Sequence, residues 1–91
     1  MQSKLIAVIA EEDLVTGFTL AGVHDQSEDN VFTVTSKTSV VDLEKTFQRL
    51  SDKENIAVLI ISSSSANMIR ELVSSYNKPS PIIVEIPSRR S

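Results

Sequence analysis

The sequence predicts an α/β fold: an open four-stranded parallel sheet with helices on both faces. Three observations predict it. Four short apolar runs recur along the 91 residues. Three helix-period stripes lie between them. Two of the runs are continuously apolar, as strands buried on both faces of a parallel sheet must be.

The first run, Lys4–Ala10, reads KLIAVIA and is rich in Ile and Val. It passes into three acids, Glu11, Glu12 and Asp13, and then into a helical segment. There Leu14, Gly17, Phe18 and Ala21 fall at i, i+3, i+4 and i+7, one stripe for docking on a sheet. Gly17 lies on that stripe beside Phe18, where a missing side chain lets the helix approach closely. Gly22 is placed to end the helix in a left-handed turn. The second run, Asn30–Thr35, alternates and suits an edge strand. Val40, Leu43, Phe47 and Leu50 form the second stripe, with Ser39 as N-cap and Asp42 three residues on. The third run, Asn55–Ser62, is again continuously apolar. Ser62–Ser65 reads as a strand-to-helix turn, with Ser65 a candidate N-cap. Ile69, Leu72, Val73 and Tyr76 form the third stripe. Pro79 and Pro81 end that helix and set up the fourth run, Pro81–Ile86.

Strand, helix and parallel strand connect right-handedly. The natural strand order is therefore 2-1-3-4, of the flavodoxin or receiver kind. The length suits one domain over residues 1–91, with residues 87–91 beginning a tail. Apolar content of 41% suits a globular chain.

Composition narrows the function. Net charge is −3, which disfavours general nucleic-acid binding. There is no cysteine, so disulfides and thiolate metal sites are excluded, and the single His24 cannot build a multi-histidine site. The longest apolar runs are too short to span a membrane, and the N-terminus lacks a signal-peptide core. A cytosolic protein without metal or cofactor is expected.

In a doubly wound sheet, ligands sit at the carboxyl ends of the strands. Those ends carry Glu11–Asp13, Ser36–Thr38, Ser62–Ser65 and Pro87–Arg89. A phosphate cradle needs glycine in the turn itself, and Gly17 and Gly22 lie beyond it. The three acids read instead as a complement to the helix dipole. A receiver needs an aspartate at the end of its third strand, where this chain has Ser62 or Ser63. No histidine stands where a serine nucleophile would need a base, and Met68 reads as ordinary packing. No catalytic residue is expected.

Four segments, taken together, resemble the F subunit of the vacuolar-type (V-type) proton ATPase, on its eukaryotic side. They are IAEEDLVTGFTLAGV, TSVVDLEKTF, IAVLIISSSSANMIR and KPSPIIVEIPSR. The resemblance implies a non-catalytic component of the central stalk, or rotor, bound to the coiled-coil D subunit of that stalk. It would help couple ATP hydrolysis to proton pumping, on the cytoplasmic side of vacuolar and endosomal membranes. It also implies a C-terminal extension past the EIPSR segment. The chain stops at Ser91, so functions of that extension are not carried over. The alternative is a receiver-like signalling or adaptor domain without a phosphoacceptor.

Three surfaces are candidates for partner contact. The first is the fourth strand with its exit: Ile86, Pro87, Ser88 and Arg89. The second is the acidic loop His24, Asp25, Gln26, Ser27, Glu28, Asp29 and Asn30. The third is Arg70, on the side of its helix away from Ile69 and Val73. Gly17, Phe18 and Gly22 are assigned structural roles.

Overall fold

The computed structural model describes residues 5–20 and 30–88. Its elements are β1 (Leu5–Glu11), α1 (Glu12–Leu20), β2 (Val31–Val34), α2 (Val40–Ser51), β3 (Ile56–Ser62), α3 (Ser63–Met68), α4 (Arg70–Ser75) and β4 (Ile82–Ile86). The strands form one parallel sheet in the order β2-β1-β3-β4. The predicted architecture is therefore the observed one.

Register sorts the side chains by face. Val8 pairs with Val31 and Ile60, and Ile60 pairs with Val84. Ile9 pairs with Phe32 and Ile61, and Ile61 pairs with Glu85. Partners across a parallel pair share a face, and successive residues alternate. One face therefore carries Ala7, Ile9, Glu11, Phe32, Val34, Leu59, Ile61, Ile83 and Glu85. The opposite face carries Ile6, Val8, Ala10, Val31, Val58, Ile60, Ser62, Ile82, Val84 and Ile86. The register shifts by one residue between Leu5 and Ile6, because Leu5 pairs with Ile56 but Ile6 pairs with Val58. That extra residue, Ala57, is how Ile56 and Leu59 both reach the same core.

The main core lies on the first face. Ala7, Ile9, Leu59 and Ile61 meet Leu43, Phe47 and Leu50 of α2, with Ala66 and Ile69 beside them. Leu72, Val73 and Tyr76 pack around this cluster. The ring of Tyr76 meets Phe47 edge-on, with centroids 6.0 Å apart, and its hydroxyl donates to the Pro81 carbonyl at 2.6 Å. One side chain thereby ties the core to the start of β4. On the second face α1 packs chiefly on β1 and β2. Val8 and Ala10 beneath it are fully buried.

Helix α2 begins as the sequence predicts. The Ser39 hydroxyl accepts from the Asp42 amide at 3.0 Å, and the Asp42 carboxylate accepts from the Ser39 amide at 3.4 Å. This capping box satisfies two amides that a bare helix end would leave unpaired. Val40 departs from its predicted stripe: at the first helical position it is 43% exposed.

Other expectations are corrected. Gly17 is exposed, and a Cβ built on it meets nothing within 4 Å. It does not bring α1 close to the sheet. Phe18 is half-buried, and Gly22 lies outside the described residues. The third helix is two short helices, broken at Ile69 (φ −125°, ψ 39°), whose side chain is buried in the core. Apolar spacing reports which residues face the core, not whether the helical backbone is continuous, so the periodicity runs across the break. Tyr76 caps α4 rather than lying within it. The N-cap of α3 is Ser62, not Ser65: the Ser62 hydroxyl accepts from the Ser65 amide at 3.3 Å. No loop separates the two elements, because β3 runs directly into α3. Met68 is 41% exposed and is not core packing.

Two stability outcomes follow. Gly17→Ala should raise stability by about 0.5–1 kcal/mol, the helix-interior difference between glycine and alanine. Urea denaturation reads this directly, and a clear loss would restore a packing role for Gly17. Leu59→Ala should lower stability by about 2–5 kcal/mol, because it opens a cavity between β3 and α2.

Candidate interface surfaces

The carboxyl ends of β1, β3 and β4 meet in one polar network. Glu11 ends β1 on the face that α3 covers. Its carboxylate accepts from the Ser64 hydroxyl at 2.6 Å and from the Ser65 hydroxyl at 3.4 Å. Ser62 and Ser65 join their hydroxyls at 2.9 Å. Past β4, the Ser88 hydroxyl accepts from the Ser64 amide and donates to the Ser64 hydroxyl, both at 2.9 Å. The Ser63 hydroxyl donates to the Ile86 carbonyl at 3.0 Å. The serine turn thus binds β1 on one side and the exit of β4 on the other.

This placement changes the reading of the three acids. Glu12 and Asp13 do open α1, where carboxylates oppose the helix dipole. Glu11 belongs to the strand and serves the serine turn instead. Burial alone would raise its pKa. Hydrogen bonds from Ser64, its own backbone, Ser62 and Ser65 outweigh that and hold it below the ordinary 4.5 of a glutamate. Its other oxygen, Oε1, is buried with no hydrogen-bond partner.

Arg70 starts α4 and forks onto Glu85 of β4, with both nitrogen–oxygen distances 2.9 Å. It also reaches the Asn67 side chain. The Glu85 carboxylate is held below its usual pKa, first by the hydrogen bond from Arg70. Arg70 therefore braces α4 against β4, while its side chain stays 42% exposed. Beside this pair runs an open groove of about 380 Å³, lined by Val73, Tyr76, Lys78, Pro81, Ile83 and Glu85. Lys78 is itself paired with Asp52.

The other predicted interface residues separate. Ile86 is half-buried, Pro87 exposed and Ser88 half-buried, and together they form the exit from β4. Asn30 is not a solvent-facing loop residue. It is fully buried, its side-chain amide donates to the Ile6 carbonyl at 2.7 Å, and its backbone carbonyl accepts from the Val8 amide at 2.9 Å. It anchors the start of β2 to β1. His24, Asp25, Gln26, Ser27, Glu28, Asp29 and Arg89 lie outside the described residues.

One surface was missed by the sequence reading. On the second face, β3 and β4 present Val58, Ile60, Ile82, Val84 and Ile86 beyond the cover of α1. Ile82 is 60% and Val84 38% exposed. The signal was available: right-handed crossovers send the second and third connections to the same side, so one helix is left for the other face.

Among the described residues no group of three or more His, Asp or Glu side chains is placed to hold a metal ion. No helix among them is long and apolar enough to cross a membrane.

The expected pH response follows from Glu11. Its folded-state pKa is depressed, so its contribution is fully present above about pH 4.5 and is lost as pH falls through the folded value. Wild type should therefore exceed Glu11→Gln in stability at neutral pH, and the gap should narrow as pH falls below 4.5 through the folded-state value. Urea midpoints of both proteins across that range check it; a gap that persists in acid contradicts the network's charge dependence.

Comparison with known proteins agrees with this architecture. Residues 6–91 match the family described as ATP synthase (F/14-kDa) subunit. The V-type proton ATPase F subunit of Arabidopsis thaliana is 49% identical over 90 residues, covering 96% of this chain and 70% of that protein. The F subunit of the Dictyostelium discoideum enzyme is 40% identical over 91 residues, covering 97% and 76%. Its human counterpart is 33% identical over the same shares. In a crystal structure, the V-type ATP synthase F subunit of Archaeoglobus fulgidus superposes with a TM-score of 0.65 at 22% identity, over 93% of this chain and 99% of that one. At that identity the likeness concerns the fold.

Proposed function

We propose a role for this chain on one premise: it belongs to the ATP synthase (F/14-kDa) family, together with the F subunits of V-type proton ATPases. The role is that of a non-catalytic component of the central stalk. It binds the coiled-coil D subunit of the stalk within the cytosolic ATPase sector. There it helps carry torque between ATP hydrolysis and the proton-moving rotor, on the cytoplasmic side of vacuolar or endosomal membranes.

The observation that carries this reading is the end of β3. In a receiver that position holds the phosphoryl-accepting aspartate. Here it is Ser62, fully buried, with its hydroxyl committed to the cap of α3. Glu11, at the neighbouring strand end, is committed to Ser64 and Ser65. The polar groups at the strand ends hold the framework together, as a rigid attachment requires.

Partner contact is assigned to the β4 side: Arg70 at the edge, and Ile86, Pro87, Ser88 and Arg89 where the chain leaves the sheet. The acidic stretch His24–Asp29 is assigned a second contact, steered by its charge.

Co-expression with the D subunit and size-exclusion chromatography tests the reading. The two chains should co-elute as a stable complex. Incubation with acetyl phosphate and magnesium, followed by intact mass, should give no phosphoadduct. A stable adduct, or failure to associate with the coiled-coil partner, would overturn the assignment in favour of a signalling or adaptor domain.

A further inference from the structure

We propose that α1 is a cover that lifts from the sheet as one unit while the strands and the first-face core stay folded. The inference concerns the conformational range of the chain itself and does not rest on the stalk reading above.

The helix has little of its own to hold it. It is nine residues long, below the roughly 12–15 at which a helix alone in water becomes marginal. Five successive residues, Val15, Thr16, Gly17, Phe18 and Thr19, rank low as helix formers. Packing must therefore supply its stability, and packing supplies little. None of its residues is buried. Leu14, Val15 and Phe18 are half-buried, and Leu20 at its end is 84% exposed. Helix α2, on the opposite face, has twelve residues, a capping box and five buried side chains, Leu43, Thr46, Phe47, Leu50 and Ser51.

The start of α1 is held differently. Strand β1 runs directly into it, and the last residue of β1, Glu11, is fixed by the Ser64 and Ser65 hydroxyls. Glu12 and Asp13 suit the dipole of the first turn, whereas the last turn has no basic residue. The pivot is therefore the junction of Glu11 with Glu12, and the end at Leu20 is the one that lifts.

Beneath α1, Val8 and Ala10 are fully buried. Val8 is in register with Val31 and Ile60, and Ile60 with Val84. Lifting α1 joins these residues into one apolar surface across the four strands. The sheet survives, because β1 keeps its ladders to β2 and β3 while Ala7, Ile9, Leu59 and Ile61 stay packed in the first-face core. Opening gives up three half-buried side chains and not the core, so it costs far less than global unfolding.

Two alanines of β1 read the movement. Ala7 and Ala10 are both fully buried, Ala7 on the first face and Ala10 beneath α1. The chain has no cysteine, so A7C and A10C each carry a single thiol. A maleimide should label A10C at least about a hundredfold faster than A7C, since local openings lie well below the global free energy. Low urea should barely change the A10C rate, because lifting exposes little surface, and should raise the A7C rate steeply. Adding Ile61→Val, which weakens the first-face core, should speed A7C labelling about two- to tenfold and leave A10C unchanged. Equal rates for the two thiols, or a response of both to urea and to Ile61→Val, mean that α1 leaves only with the whole fold, and the proposal fails.

Hydrogen exchange of the unsubstituted chain checks the same movement without a cysteine. The amides of residues 16–20, inside α1, should share one exchange free energy and one shallow urea slope, both below those of β3. Values graded along the helix mean fraying residue by residue, and values equal to those of β3 mean a single folding unit. Either result overturns the proposal.

Discussion

The pairing of β1 with β3 is the constraint on which the rest of the molecule depends. These two strands occupy the middle of the sheet, and Ala7, Val8, Ile9, Ala10, Leu59 and Ile61 are fully buried along them. Strands in that position must be apolar on both faces and must satisfy every backbone group within the ladder. Leu5–Glu11 and Ile56–Ser62 meet both demands. Once they pair, β2 and β4 can only add outside them, and the connecting helices must divide between the faces. In a chain this short, each helix then has a large share of the covering to do.

The carboxyl ends of the central strands show how the frame is closed. Burying Glu11 beside Ser62 and Ser65 would cost stability if its charge were left alone. Hydroxyl donors from the serine turn offset that cost and reverse the direction of its pKa shift. The same turn grips Ile86 and Ser88 beyond β4. At the far end of the sheet, Tyr76 holds Pro81 and Asn30 holds Ile6. Arg70 and Glu85 brace the outer strand between these points, though an exposed pair of this kind adds little to stability on its own.

Much of this was legible in the sequence because it is written in local pattern. The two continuous apolar runs mark the central strands, and Ser39 with Asp42 marks a helix start. What was not legible depends on long-range placement. Gly17 falls on an apolar stripe by spacing, yet α1 is rotated so that its Cα faces open space. Asn30 sits beside acidic loop residues in sequence but is buried by a hydrogen bond to Ile6, 24 residues earlier. Ser65 and Ser62 are equally good cap residues in composition. Only the point where β3 stops decides between them. The sequence offers Arg70 as a candidate contact for another protein, because its ion-pair partner Glu85 lies in the next strand. The strand β4 was legible but the exposure of its second face was not, since Ile82 and Val84 look like core until the helices are assigned to faces.

That assignment also leaves part of the sheet uncovered in a chain of this size. The main core, with α2, α3 and α4, secures the first face of β3, where Leu59 and Ile61 are fully buried, and part of that of β4, where Ile83 is half-buried. The other face of the same strands can then stay open without loosening the sheet, because backbone ladders and the first face hold the strands in place. A surface backed in this way needs no reordering when something docks, and binding does not lose free energy to a conformational change. Apolar area left on a strand pair is a hazard for a free protein. On the stalk reading proposed above, the same area is surface available for attachment.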